Sequence, residues 1–315
     1  MKLLPLLPLF ALACTSGSDT QEDPGDSGDS AVVIDTTPVW EQHRIESSSS
    51  MNGIYASGAG VYIVGSGGFA WYGGADGWDF MDISVNGQDL TDLWGQGQNE
   101  STVLAASTQS GLVAQYTPAG GWTTGDLADT NEIKGVGGSG PTQLFAVGWG
   151  RAYAYDGTSW TYEPLPDQNV KLNDVYAEGS EAFAIGEEGG CVHRASGTWS
   201  ACDTGVTASL EGISGSSASD VWAVGDGGTV VHWNGTKWQV EEVPTTQKLW
   251  AVYVPEKGSV YAVGSAGTAI RLKDGAWEIL YTGVDNNLYA VHGISSKNIW
   301  ASGNRGMALQ YRDSE

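Results

Sequence analysis

Basic residues are scarce in this chain: 14 Lys and Arg stand against 37 Asp and Glu, a formal net charge of −23. Six of the acids (Asp19, Glu22, Asp23, Asp26, Asp29, Asp35) precede residue 38, where Lys2 is the only base, so residues 38–315 carry 31 acids against 13 bases. Such a surface repels phosphate backbones, which argues against nucleic acid as a partner. It also serves solubility. Cysteine is rarer still, at three residues, too few for a disulfide-dense scaffold. There are four histidines. His193 and His232 share one register of a repeat, and His43 and His292 have no Cys or His at ligand spacing, so no metal site is expected. The Gly-x-Gly strings lie between strands and lack the helix whose N-terminus would hold a phosphate, so no cofactor is expected either.

Long apolar runs are also lacking. The longest, residues 3–13, is interrupted by Pro5 and Pro8. Spanning a bilayer takes about 20 apolar residues. Behind Met1 and Lys2, the run has the length of a signal-peptide core, with small Ala13 at the cleavage position. The stretch Ala11-Leu12-Ala13-Cys14 resembles the lipobox of bacterial lipoproteins, although Ala11 stands where Leu is most usual. The resemblance implies removal of residues 1–13, diacylation of Cys14, and a membrane partner reached through a lipid anchor. Residues 15–37 have no aromatic residue and are dominated by Ser, Gly, Asp and Thr. They cannot bury enough apolar surface to offset their ordering, and are expected to act as an acidic disordered tether from residue 14 to 37. Thr15 in place of Asp favours the outer over the inner membrane by the same resemblance, so the chain is expected to be exported to the bacterial cell envelope.

What is abundant is glycine, at 46 residues, with 14 Trp and 13 Tyr. That mixture fits short strands joined by tight turns. A repeat follows from counting. An aromatic inside an apolar strand recurs at Tyr62, Phe145, Phe183, Trp222, Tyr261 and Trp300, with Leu104 in the weakest copy. A small residue three places on recurs at Gly65, Ser107, Gly148, Gly186, Gly225, Gly264 and Gly303. An apolar residue ahead recurs at Ile54, Leu93, Val136, Val175, Ile213, Val252 and Val291. In each series the last four intervals are 38 or 39 residues.

A tryptophan follows the third strand of six copies, at Trp78, Trp122, Trp160, Trp199, Trp238 and Trp277, and Trp40 lies 38 residues before Trp78. The repeat is thus permuted by one strand. Residues 38–315 are expected to form an all-β, seven-bladed β-propeller of four-stranded antiparallel blades, with residues 39–45 closing the last blade beside 306–312. Closure removes the free edges that invite aggregation. One blade reads as strands 210–214, 221–225, 229–233 and 237–243, with turns at Asp226-Gly227-Gly228 and Asn234-Gly235-Thr236. The outer-strand tryptophans are expected to fill the wedge where blades splay apart. A monomer is expected.

The segment from Val221 to Thr229, VWAVGDGGT, resembles blades of photosystem II assembly-factor-type propellers and of the wider Asp-box (BNR) superfamily. Asn234-Gly235-Thr236-Lys237-Trp238 and Asp156-Gly157-Thr158-Ser159-Trp160 stand as shortened Asp-boxes, folding elements in that superfamily. Sialidases share it and use an arginine triad with a Tyr–Glu pair. Here the arginines are Arg44, Arg151, Arg194, Arg271, Arg305 and Arg312, mostly in third or fourth strands by register, and no catalytic site is expected.

Cys191 and Cys202 are equidistant from the centre of the turn between them, which places them opposite each other in a hairpin at close to disulfide geometry. An exported protein meets an oxidising compartment, so a structural disulfide is expected over two reduced thiols. Rim loops are the expected partner-binding surface, since blades supply rigidity and loops vary. The candidates on one face are Asp129, Asn131, Asp167, Asn169, Glu187, Glu188, Asp226, Asp285, Asn286, Asn287, Asn304 and Arg305. Two functions stay open: a non-enzymatic envelope-anchored binding or scaffold propeller for a protein or glycan, and a carbohydrate-active propeller, lectin-like or hydrolytic. Exposed aromatics with convergent carboxylates at one mouth of the ring would favour the second. Cys14→Ser is expected to release the protein to the soluble fraction or block its processing, and membrane partition of that variant at high salt would place the anchor elsewhere.

Overall fold

The computed structural model describes residues 40–313, apart from 84, 86, 98–101, 108–110, 118–119 and 128–131. Cys14 and the tether therefore lie outside the described residues, as do Asp129 and Asn131. The described part forms seven four-stranded antiparallel sheets. Their inner strands are Met51–Ser57, Leu90–Gln96, Ile133–Gly140, Leu172–Glu178, Leu210–Ser217, Leu249–Glu256 and Leu288–Ser295, and the sheets are numbered blades 1 to 7 in that order. Each inner strand touches the next, and that of blade 7 touches that of blade 1, so the blades surround a channel. The outer strand of blade 7 is Trp40–Arg44, paired with Met307–Arg312 from Trp40↔Tyr311 to Arg44↔Met307. The chain is an all-β propeller whose last blade is closed by its N-terminal strand.

Strand bounds differ from the sequence reading in instructive ways. In blade 5 the inner strand runs on to Ser217, because Gly215 and Ser217 keep pairing with Val221 and Asp220 across a bulge. Its outer strand is shorter, Trp238–Glu241, because the Lys237 amide is drawn into the turn by the Asn234 side chain at 3.2 Å. The stretch Asp226–Gly228 is a single 3-10 turn rather than a plain hairpin loop, with Gly227 and Gly228 at φ 66° and 75°. The glycine that ends six of the second strands has a close-approach cause. A Cβ on Gly225 would lie 2.0 Å from the Ser209 carbonyl oxygen, where the chain enters the inner strand.

The tryptophan series forms the seams. At four seams the outer-strand tryptophan meets the second-strand aromatic of the preceding blade edge to face: Trp199 on Phe145, Trp238 on Phe183, Trp277 on Trp222 and Trp78 on Trp300, with ring centroids 5.8–6.1 Å apart. Trp40 packs into one cluster with Tyr261 and Tyr311 at the blade 6–blade 7 seam. Such contacts add to the burial of two large rings. The inner-strand markers Val136, Val175, Ile213 and Val252 join these seam cores from the axis side.

Cys191 and Cys202 are joined as a disulfide with Cα atoms 5.1 Å apart, and the Cys202 amide donates to the Cys191 carbonyl at 3.0 Å. The two histidines in shared register stack on second-strand aromatics, His193 on Phe183 and His232 on Trp222. Their Nε2 atoms face Glu181 at 3.3 Å and Asp220 at 2.7 Å.

Deleting residues 15–37 is expected to leave the melting temperature unchanged. Deleting through Ile45 removes Trp40 and the closing strand. Loss of a large buried aromatic alone costs about 3–5 kcal/mol, a large share of a typical ~5–15 kcal/mol. The longer truncation is expected to melt markedly lower or aggregate, as read by calorimetry; equal melting of the two would refute closure by this strand.

Candidate functional site

The inner strands share a frame. Their first residues are Met51, Leu90, Ile133, Leu172, Leu210, Leu249 and Leu288, all buried apolar side chains. The next residue varies: Asn52, Thr91, Lys134, Asn173, Glu211, Trp250 and Tyr289. These seven line one mouth of a channel of about 290 Å³. It is the mouth on the face carrying the loops from second to third strand and from outer to inner strand, here the upper face.

A chain of contacts runs from blade to blade around this mouth. Asn52 Nδ2 donates to the Leu90 carbonyl at 2.9 Å, and Thr91 Oγ1 to the Lys134 carbonyl at 2.9 Å. Lys134 Nζ reaches Asn173 Oδ1 at 3.4 Å. Asn173 Nδ2 donates to the Leu210 carbonyl at 2.8 Å and to Glu211 Oε2 at 3.4 Å. Lys248 Nζ bridges Glu211 at 2.7 Å and Asp226 at 2.9 Å, and lies 3.9 Å from the Trp250 ring centroid. Trp250 meets Tyr289 edge to face at 5.6 Å, and its Nε1 donates to Ser265 Oγ at 3.2 Å. Burial alone would lower the Lys248 pKa, but its hydrogen bonds to Glu211 and Asp226 prevail and raise it.

Below the mouth, two carboxylates tie neighbouring blades. Asp92 accepts the Leu93 amide at 2.7 Å and, in the next blade, the Val136 amide at 2.8 Å. Asp174 repeats this with Val175 at 2.7 Å and Ile213 at 2.9 Å. Burial pushes the Asp92 carboxyl up to about 6 against the pull of its two amide donors. Burial, and then the Asp92 charge, raise Asp174 well above the usual range. Deeper still, Tyr55 and Tyr253 flank His292, whose Nδ1 accepts the Ala56 amide at 3.2 Å. Burial lowers this histidine to about 4, so it is neutral at physiological pH.

The loop candidates fall into three groups. Asp226 joins the mouth through Lys248, while Asn286 donates to Asn304 Oδ1 at 2.8 Å, and Asn287 accepts the Ala266 amide at 3.1 Å and approaches the Tyr289 hydroxyl at 3.4 Å. Glu187 is engaged with Lys171 at 2.8 Å, and that lysine stacks on exposed Trp149 at 4.8 Å; Asp167 accepts the Asn169 amide at 2.8 Å within its own turn. Glu188 and Arg305 are exposed at φ 55° and 58°, and Asp285 is exposed. The structure thus uses many loop carboxylates and amides to hold the loops, and it presents a mouth that the loop reading missed. The missed residues stand two places before each inner-strand apolar marker. Their signal is variation at one position of a repeat whose preceding position is always a large apolar residue.

The arginines lie away from the channel. Arg194 forms a two-pronged bond to Glu163, with both N···O distances 2.7 Å, and Arg271 binds Glu278 and Asp313. Both stand in third strands, and among the described residues no arginine lines the channel.

No protein-family model matches this chain, and neither does any curated protein sequence. Solved structures do match in fold. A structure described as YCF48 bound to D1 peptide superposes with a TM-score of 0.70 at 14% identity, covering 89% of this chain and 97% of that one. YCF48 from Cyanidioschyzon merolae gives 0.69 at 17%, covering 87% and 98%. Virginiamycin B lyase from Staphylococcus aureus gives 0.76 at 12%, covering 86% and 98%. At these identities the likeness is one of fold.

The raised pKa of Asp92 has a stability consequence of definite sign. Between the unfolded value of 3.8 and about 6 the folded protein holds the extra proton, so this contribution is full below the lower value and lost as pH rises through the upper. The stability of the wild type relative to Asp92→Asn is expected to decline from pH 4 to pH 7 in parallel denaturant titrations. A difference independent of pH would show that Asp92 titrates as an exposed carboxylate.

Proposed function

We propose that this chain is a non-enzymatic binding propeller, lipid-anchored to the bacterial cell envelope through Cys14, whose upper channel mouth takes a protein partner. The observation that carries this reading is the mouth itself. Seven residues in one structural register carry amide, hydroxyl, ammonium, carboxylate and aromatic chemistry on a shared frame, and hydrogen bonds hold most of them. Such a pre-ordered surface loses little freedom on binding. Trp250 and Tyr289, half-buried beside a Lys–Glu pair, supply the aromatic anchors that dominate interfaces. A propeller of the same fold is described as bound to a peptide, which supports a protein partner. The acid excess disfavours nucleic acid.

The strand Trp40–Arg44 starts at the lower face, because Arg44 pairs with Met307 just beyond an upper loop and Trp40 pairs with Tyr311 toward the other end. The described chain therefore enters blade 7 at the face opposite the mouth. The outer membrane and a monomeric state belong to the same reading.

A glycan is the second reading, favoured by the placement of the Glu211 carboxylate near the Trp250–Tyr289 pair. Capture from envelope extracts on the immobilised protein, beside a glycan array, separates the two. A protein partner is expected to be retained by the wild type and by Ile279→Ser on the outer wall, and to bind at least tenfold more weakly to Trp250→Ala, a change of about 1.4 kcal/mol. Retention undiminished by Trp250→Ala and Glu211→Ala would move the binding surface off the mouth; array signal without protein capture would favour the glycan.

A further inference from the structure

Each outer-strand tryptophan faces one residue of the third strand across the hairpin. In six blades that residue is large: Tyr116 opposite Trp122, Tyr155 opposite Trp160, Arg194 opposite Trp199, Trp233 opposite Trp238, Leu272 opposite Trp277 and Tyr311 opposite Trp40. In blade 1 it is Gly73, opposite Trp78. The side chain missing there belongs on the face turned to blade 7, since directly opposed residues share a face and Trp78 packs on Trp300 of that blade. A groove of about 700 Å³ opens at this seam, lined by Gly73, Trp78, Trp300, Gln310 and Arg312 among others.

The neighbouring seam shows how such a socket is filled. Tyr311 lies over Arg271 of blade 6, and its hydroxyl meets Arg271 Nη1 at 2.7 Å. Arg271 stands opposite the second-strand aromatic Tyr261. In blade 7 the residue in that register is Gln310, opposite Trp300. Gln310 is 3% exposed and donates through Nε2 to Asn298 at 2.9 Å, but its Oε1 is buried with no donor. His193, His232 and Arg271, in the same register of blades 4, 5 and 6, each meet a carboxylate. A buried acceptor left without a donor is destabilising until one reaches it. The groove at the blade 7–blade 1 seam is thus lined by a glycine where the other blades place a bulky residue, and by a glutamine whose acceptor is unmet.

We propose that this groove is a docking socket for a tyrosine side chain of a partner protein. The ring takes the place that Tyr116, Tyr155 and Tyr311 hold at their own seams, over the Trp78–Trp300 contact, and the hydroxyl supplies the missing donor once the buried Gln310 amide turns its Oε1 toward the groove. The socket is built to stay open. A Cβ on Gly73 would lie 2.0 Å from the Gly77 carbonyl oxygen, and residues 75 and 76 turn without the positive φ of the matching turns Ser196-Gly197 and Asp274-Gly275. The site lies at the outer seam, away from the channel mouth, and its occupancy is independent of what binds there.

The test is an NMR titration of the full-length chain, labelled at tryptophan nitrogen, with N-acetyl-tyrosinamide and N-acetyl-phenylalaninamide. The tyrosine probe is expected to shift the Trp78 indole signal saturably and to bind at least threefold more tightly than the phenylalanine probe. Grafting the blade 6 turn into blade 1 (Gly73→Leu, Gly74→Lys, Ala75→Asp, Asp76→Gly, Gly77→Ala) fills the socket from within and is expected to abolish the shift. Should that graft fail to fold, Gln310→Met decides: it is expected to erase the preference for tyrosine. No saturable shift up to the solubility limit, equal binding of both probes, a shift that persists in the folded graft, or a preference that survives Gln310→Met would each overturn the proposal.

Discussion

The fold rests on a contact between neighbouring blades: an outer-strand tryptophan set edge-on against an aromatic in the second strand of the blade before it. Sheets radiating from an axis diverge, and small side chains would leave a wedge of empty space that forfeits dispersion contacts. Trp199 on Phe145 and Trp238 on Phe183 close that wedge with two rings each. The same contact dictates the closure of the ring. The seam behind blade 7 would lack its tryptophan unless Trp40 came from the start of the chain, and Trp40 arrives there on the strand paired with Met307–Arg312.

At the axis the constraint reverses, because strands crowd instead of diverging. Asp92 and Asp174 use the crowding by capturing amides of two blades with one carboxylate each. Their burial costs charge, which appears as raised pKa values and not as lost structure. With outer seams and inner ties both held, the residue after each inner-strand leucine, isoleucine or methionine belongs to none of the seam cores. That freedom is what allows Asn52, Lys134, Glu211, Trp250 and Tyr289 to differ in chemistry at the mouth while their frame stays the same.

The blade 7–blade 1 seam is the exception that the repeat makes visible. Six blades complete their wedge with a large third-strand residue, whereas blade 1 offers Gly73 and leaves Gln310 with an unmet acceptor. In a single sheet a glycine before a turn would pass as ordinary turn chemistry. Against six internal copies it is a missing side chain.

The sequence by itself determined the parts that recur. The period of 38 or 39 residues, the second-strand aromatics, the tryptophans and the displaced Trp40 are all legible by counting, since wedge filling demands the same residue type at each turn of the ring. The opposition of Cys191 and Cys202 was legible as well, because hairpin register follows from distance to a turn. Tertiary structure alone decided what does not recur. Nothing in the spacing says that Glu187, Asp226 and Asn287 are spent on holding loops and neighbours, or that Lys248 joins Glu211 to Trp250. Nor does it say that Gly73 faces Gln310, since those two residues lie far apart in the chain and meet only when the ring closes. Packing repeats because every seam has the same geometry, whereas recognition depends on which unlike side chains the closed ring brings together.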